Sequence, residues 1–343
     1  MRGPLKLNAL AIIFVCVAAH AAEPSPTLAR VRGVGILRCG IDAEEAEYTT
    51  SDDHGNRSAF DIDLCHAVAV AVLGKDARIK AINYPDDQAA MKGINNNEVD
   101  LIPTLTDDFT HAVGTHLHLT RPVLWDGVGF LVLVGTPAMH ARQLSGKKIC
   151  FLAETNVEDS VRAWFGREHL NFVPFPFQEE GEMQAAFATG NCGGLAGDRT
   201  RLSETRATLT GRSHPTRLLP EIISQDPLAA AVRDNDPQWA TIVSWVMETL
   251  VQAEESGVTQ ANVNAMHARA DSDPVLRFLL GSSREIGSAL GLDDEWVVRV
   301  IAATGNYGEI YERDLGGNSS MKLSRGENNL RQHSGAMTAL PPK

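Results

Sequence analysis

The chain has 343 residues, 43% of them hydrophobic and 22% charged, with a formal net charge of -12. This is ordinary globular composition, with enough chain for two lobes. The acidic balance disfavours nucleic acid or an anionic membrane as the main partner.

The chain opens with "MRGPLKLN", which carries Arg2 and Lys6, followed by the short apolar core "ALAIIFVCVAA". Ala19 and Ala21 supply small residues before a cut at Ala21/Ala22, so residues 1–21 are expected to be a signal peptide. The core is too short to span a bilayer comfortably, which disfavours an uncleaved anchor. Bulky Ile13, Phe14 and Val15 before Cys16 argue against a lipoprotein signal. The rest of the chain is expected to be exported and soluble. Cys39, Cys65, Cys150 and Cys192 remain after Cys16 leaves with the signal. Four cysteines in an oxidising compartment permit two disulfides in three connectivities. Cys39–Cys65 with Cys150–Cys192 is favoured, because each bridge then closes within one lobe. Four buried thiols are the alternative, and the spacings fit no zinc ribbon.

"GILRCGID" (34–42) is a glycine-bounded apolar run, a buried-strand signal. After a polar loop, "FDIDLCHAVAVAVLG" (60–74) has aspartates at its start, apolar residues at helical spacing and Gly74 as its stop. "RIKAINY" reads as a second strand, "DDQAAMKGINNNE" as a short helix and "VDLIPTLT" as a third strand. The order recurs in "GKKICFLAE", "NVEDSVRAWFGREHL", "NFVPFPF", "EEGEMQAAFATGNC" and "GGLAGD". Two α/β lobes in tandem are therefore expected. "DGVGFLVLVGTP" (126–137) joins them, and "DPLAAAVRDNDPQW" (226–239) returns as a strand and a helix start. Ligands of open α/β sheets sit beyond the carboxyl ends of the strands. Here those ends are the loop after Asp42, the loop after Thr106, Glu154–Asn156 and Asp198. Two lobes facing each other across them make a cleft that a two-strand hinge can close.

"LRCGID", "DDHGNRSAFDIDLCHAVAVAVLG", "LLPEIISQDPLAAAVRDNDPQW", "AEESGVTQANV", "TGNYGEIYERDLG" and "RGENNL" together resemble the periplasmic general L-amino-acid-binding proteins of ABC uptake systems, in solute-binding protein family 3. The resemblance spans nearly the whole chain after residue 21. It implies an α/β two-lobe periplasmic-binding-protein-like fold of type 2 with a C-terminal extension. The implied layout is lobe 1 over 28–132 plus 228–265, lobe 2 over 133–227, and an extension over 266–343 that packs mainly on lobe 1. It also implies a monomeric, non-enzymatic periplasmic receptor without a cofactor. Such a receptor hands a small-molecule solute, an amino acid or amine, to an ABC permease in the inner membrane. A sensor subunit read by a membrane receptor is a variant of the same scheme.

An amino acid needs donors for its carboxylate and an acid for its ammonium, because a buried unpaired charge is costly. By resemblance, Asp198 is the ammonium partner and Thr155 the lobe-2 threonine at a helix start, beside Asn156, where free amides favour a carboxylate. Thr155 also suits a helix N-cap. Glu154 replaces a family glycine, and Tyr48 sits near the family's aromatic wall. The largest departure is "DLIPTLTDDFTHAVGTHLHLT" (100–120), where the family has an arginine and a tryptophan and this chain has neither. His111 or a neighbour takes the arginine's place, Phe109 stands in for the aromatic, and Thr104 and Thr106 persist as hydroxyls. Asp107 and Asp108 are added acids, and Arg57, where the family has tryptophan, reads as a surface hairpin residue. A charge-assisted hydrogen bond contributes about 1.5–3 kcal/mol, so losing the arginine weakens a standard amino acid by one to two orders of magnitude unless it is replaced. With Glu154, Asp107 and Asp108 added, the expected solute shifts towards cations: a basic amino acid, an amine, or a solute without a free α-carboxylate.

Two other classes compete. Asp107, Asp108, His111, His116 and His118 are all zinc-ligand types, and "HLH" in an extended segment puts both imidazoles on one face, which suits a metal-binding receptor. An acid pair in a bilobal cleft also suits a dehydratase-like enzyme, but a fold does not supply a function. The chain holds no G-x-S-x-G, P-loop, dinucleotide or HExxH motif.

Overall fold

The computed structural model describes residues 25–42, 50–51, 57–211, 214–281 and 285–340. Residues 1–21, expected to be a signal peptide, and Tyr48 lie outside the described residues.

Lobe 1 begins with α1 (Pro26–Val34), β1 (Leu37–Asp42) and a small hairpin of β2 (Thr50–Ser51) with β3 (Arg57–Ser58). α2 (Phe60–Leu73), β4 (Ile79–Tyr84), α3 (Asp87–Asn95), β5 (Ile102–Thr106), the single turn α4 (Phe109–Ala112) and β6 (Leu117–Asp126) follow. β1 pairs with β4 in parallel and touches Leu101 just before β5. Lobe 2 contains β7 (Val128–Leu133), β8 (Lys148–Leu152), α5 (Asn156–Arg167), β9 (Val173–Phe177), α6 (Glu180–Ala188), β10 (Gly194–Asp198), α7 (Arg199–Gly211) and β11 (Thr216–Leu218). Its strands make one five-stranded sheet in the order β11-β7-β10-β8-β9. Because β7 pairs with β10 and β11 in this sheet, the chain leaves lobe 1 at Gly127 rather than after β7.

The chain returns through β12 (Asp226–Arg233), which lies antiparallel between β5 and β6, and continues into α8 (Pro237–Glu255). Asp236 starts α8 by accepting from the Trp239 amide at 3.1 Å. The extension adds α9 (Val263–His267), α10 (Pro274–Leu280), α11 (Glu285–Leu290), α12 (Trp296–Thr304) and α13 (Tyr307–Asp314). It packs on α2 and α8, so one continuous core runs from Leu37 and Val68 through Val246 to Ile301 and Ile310. Lobe 2 has separate cores on the two faces of its sheet, one around Phe130 and Phe165 and the other around Phe187 and Leu195. Cys39 is bonded to Cys65 across β1 and α2, and Cys150 to Cys192 across β8 and the loop before β10. Among the described residues no helix is long and apolar enough to cross a membrane.

The two crossings between lobes are adjacent. Asp126 at the end of β6 pairs with Asp226 at the start of β12. Gly127 follows, and a Cβ there would meet the Ser224 carbonyl oxygen at 2.5 Å. Only glycine lets the outgoing and returning segments approach this closely.

Candidate functional site

A cavity of about 300 Å³ lies between the lobes, within the range of small-molecule sites. Its lobe-1 wall comes from strand exits and helix starts: Gly40 and Ile41 on β1, Phe60 and Asp61 on α2, Asp87 on α3, and Thr104 and Thr106 on β5. Lobe 2 contributes Asn156 at the start of α5, Asp198 at the end of β10, and Thr200, Arg201 and Glu204 on α7. The hinge contributes Asp126 and Asp226, and Leu315 reaches in from just beyond α13.

The polar groups of the lobe-1 wall are bonded to one another. Thr104 Oγ1 donates to both oxygens of buried Asp61, at 2.8 and 3.0 Å, and Thr106 Oγ1 donates to Asp87 at 3.3 Å. Asp86 accepts from the Ala89 amide at 2.7 Å, capping α3. Tyr84, buried beneath Gly40, donates its hydroxyl to Glu98 at 3.1 Å; burial and then Glu98 push the phenol up to about 12.

Facing this wall, Asp126 accepts from the amides of Gly127, Arg199 and Thr200 at 2.8, 3.1 and 3.3 Å and from the Thr200 hydroxyl at 2.5 Å. Even so, desolvation holds its carboxyl above the usual range. Asp226 accepts from Ser224 Oγ at 2.6 Å. Asp198 is different: its Oδ1 is buried with no hydrogen-bond partner. Burial first, then Asp126 and Asp226, push its carboxyl up to about 7. A buried carboxylate oxygen of this kind lacks a donor, and an ammonium supplies one.

Of the expected site residues, Thr104, Thr106, Asn156 and Asp198 meet at this cavity. The others described do not line it. Thr155 donates to the Leu152 carbonyl at 2.9 Å instead of capping α5. Glu154 is exposed in a left-handed conformation with φ 60°. Phe109 opens α4 at 81% exposure, so it is no aromatic wall. His111 is bonded through Nδ1 to Asp108 at 2.9 Å, and its Nε2 lies 4.0 Å from Asp87, behind the wall. It thus supports an acid rather than replacing an arginine.

The histidine segment forms no metal cluster: among the described residues no group of three or more His, Cys, Asp or Glu could hold an ion. His116 adopts φ 58° before β6 begins and lies 3.7 Å from Asp234, so it does not share a strand face with exposed His118.

No protein-family model matches the chain. It is 36% identical over 99% of its length to the general L-amino acid-binding periplasmic protein AapJ of Rhizobium johnstonii, and covers 99% of that protein. The chain belongs to the periplasmic amino-acid-binding proteins of ABC transporters. The glutamate/glutamine/aspartate/asparagine-binding protein BztA of Rhodobacter capsulatus is 33% identical, with 96% of this chain and 97% of that one covered. A solved ABC transporter periplasmic binding protein from Brucella ovis, with glutathione bound, superposes with a TM-score of 0.80 at 33% identity over 92% of this chain and 99% of that one. A cysteine-binding protein from Campylobacter jejuni shares the fold at a TM-score of 0.50 and 19% identity over 66% of this chain and 88% of that one. These relatives are binding proteins, and neither the metal nor the dehydratase reading is favoured beside them.

In this amino-acid-binding protein the residues missed by motif reading are Asp61, Asp87, Asp126, Asp226, Arg201 and Leu315. Asp126 and Asp226 each carried a signal, an acid where an apolar strand crosses between lobes. Asp61 and Asp87 sit in the first turns of α2 and α3, where an acid is also the ordinary helix-start residue. Leu315 carried none, since nothing local shows that an extension will reach the cleft.

Proposed function

We propose that this receptor captures a cationic, amino-acid-like solute and presents it to an inner-membrane permease. In this reading the chain is exported through residues 1–21 and works as a monomer, with lobe 1 running to β6 and resuming at β12, lobe 2 running from β7 to β11, and the extension from 266 onwards. The observation that carries the reading is the unpartnered buried oxygen of Asp198, within the field of Asp126 and Asp226. Three acids there favour a full positive charge over a zwitterion with a small neutral side chain. The absence of an arginine after β5 points the same way. The relatives' ligands, general L-amino acids for AapJ and glutathione for the Brucella protein, set the size class rather than the charge.

Calorimetry with L-lysine, L-arginine, small amines, L-glutamine and L-glutamate tests it. The expected order is cation over neutral over anion, with at least a tenfold step each time. Tight binding confined to neutral L-amino acids overturns the cationic reading and leaves the receptor role intact.

A further inference from the structure

An α-amino acid carries an ammonium and a carboxylate on one carbon, so the groups that recognise them must converge on one small volume. Asp198, at the end of β10, is the acid of that pair in the reading above. Among the described residues that line the cavity, Arg201 is the single basic side chain, and it follows Asp198 by three residues in the first turn of α7. Asp198, Thr200 and Arg201 thus reach the cavity from one short segment. That segment is tied to the hinge: the Arg199 and Thr200 amides donate to Asp126 at 3.1 and 3.3 Å, and the Thr200 hydroxyl donates to it as well. The acid and the guanidinium are therefore presented together, on a turn whose place relative to the hinge is set.

A cation in the first turn of a helix opposes the helix dipole, so local structure does not favour one there. The neighbouring Arg199 has a structural use, donating through Nη1 to the Leu219 carbonyl at 3.0 Å. Arg201 lines the cavity instead, as does Glu204 three residues on, and each has an interaction of its own. A guanidinium has five N–H donors in a planar fork, so Arg201 can keep such a contact and still present two donors to a carboxylate. Asn156, at the start of α5, lines the same wall.

We propose that Arg201 supplies from lobe 2 the carboxylate contact that an arginine after β5 would have supplied from lobe 1. Its guanidinium takes the solute's α-carboxylate and Asp198 takes the α-ammonium, so lobe 2 holds both groups of the α-carbon. The solute's side chain is then left to the lobe-1 wall, where Asp61 and Asp87 suit a cationic end. The proposal rests on the amino-acid-like part of the reading above, and the cationic part can fail without it.

The test pairs each amino acid with its own α-amide, which keeps the amino group and the side chain and removes the negative charge. L-lysine, L-arginine, L-glutamine and their α-amides are titrated calorimetrically into the wild-type protein, Arg201→Gln and Arg201→Lys. In the wild type, the amino acid that binds tightest is expected to bind roughly 10- to 100-fold tighter than its amide. In Arg201→Gln that ratio is expected to fall to about threefold or less, and in Arg201→Lys, which keeps the charge but not the fork, to lie between. The ratio is read within one folded protein, so a general loss of stability cannot produce the change. If Arg201→Gln does not fold, the ratio in Arg201→Lys decides. A wild-type ratio near one, or a variant ratio equal to that of the wild type, overturns the proposal and leaves the cationic reading to the ranking of the three amino acids. Tightest binding by L-glutamine, with the ratios as expected, overturns the cationic reading and supports the role of Arg201. Binding by none of the six probes overturns both.

Discussion

The two lobes share a strand–helix order and differ in what covers their helices. In lobe 1, eleven of the fourteen residues of α2 are buried, because β1 and β5 lie on one side and α8, α12 and α13 on the other. In lobe 2, α5 buries Val157, Val161, Trp164 and Phe165 of its twelve residues, one stripe at helical spacing, and turns its other face to solvent. The extension thus makes lobe 1 the heavier body, with one joined core, while lobe 2 remains a conventional three-layer unit. The cleft follows the same division. The lobe-1 hydroxyls Thr104 and Thr106 are spent on lobe-1 acids, whereas Asp198 of lobe 2 keeps a buried oxygen without a donor.

Removing each lobe's bridge tests the difference most strongly. The bridges span 26 residues in lobe 1 and 42 in lobe 2. Loop-closure entropy puts their contributions at about 3.5 and about 4 kcal/mol. Cys150→Ser with Cys192→Ser is expected to separate lobe 2 as an earlier transition in a calorimetric scan. Cys39→Ser with Cys65→Ser is expected to lower one broad lobe-1 transition, because the extension still holds α2. Coincident transitions in both variants would show that the lobes are not independent.

The extension's grip can be loosened at one residue. Arg313 on α13 donates through Nε to Asp63 on α2 at 2.9 Å, and its Nη2 reaches both Asp63 and the Thr304 carbonyl. Arg313→Ala leaves a mostly buried carboxylate behind and should cost about 2–3 kcal/mol in urea denaturation, with the loss confined to lobe 1. An unchanged midpoint would mean that apolar packing alone seats the extension. At the hinge, Gly127→Ala sets a methyl against a backbone carbonyl that cannot turn aside. About 2 kcal/mol of stability should be lost, together with a change in small-angle scattering as the lobes reorient.

Asp198 gives the comparison a pH signature. Its carboxyl titrates at about 7 in the folded chain, against about 3.9 for an unfolded aspartate. Between those values the folded state binds more protons than the unfolded state, so the contribution to stability falls as pH rises from about 4 to about 7 and then levels. Asp198→Asn should leave the ligand-free protein unchanged at pH 4 and raise its stability by up to about 4 kcal/mol at pH 8. Binding of an ammonium ligand runs the other way, since it needs the ionised acid, and should weaken as pH falls below about 7. Parallel pH profiles for the variant and the wild type would show that Asp198 is not the group titrating.

Much of this was legible in the sequence. Helix starts, glycine stops and repeated apolar runs placed most of the elements. The cleft edge at Thr104, Thr106, Asn156 and Asp198 followed from where strands end. Three features were not local. The run 126–137 read as the joining segment with lobe 1 carried to residue 132, so the crossing was set too late, near the end of β7 rather than at Gly127. Helical spacing on α2 did not reveal that both its faces are covered, although a helix apolar all round is the signature of one that is enclosed. The use of the Thr104 and Thr106 protons depended on side chains from α2 and α3, which only the folded arrangement brings beside β5.

Glu154 offers the finest discrimination. It ends the turn after β8 at φ 60°, where an L-residue costs about 1–2 kcal/mol, partly offset by the backbone entropy a glycine loses on folding. Its amide donates to Glu158 at 3.1 Å, a bond that glycine would retain. Glu154→Gly should therefore stabilise the protein by about 0.5 kcal/mol in chemical denaturation, with no effect on the affinity of any cation, because the side chain lies outside the cavity. The lobe-2 wall is then built from Asn156, Asp198 and α7 without this acid. A loss of cation affinity in Glu154→Gly would place Glu154 against the bound solute and extend the lobe-2 wall to the exit of β8.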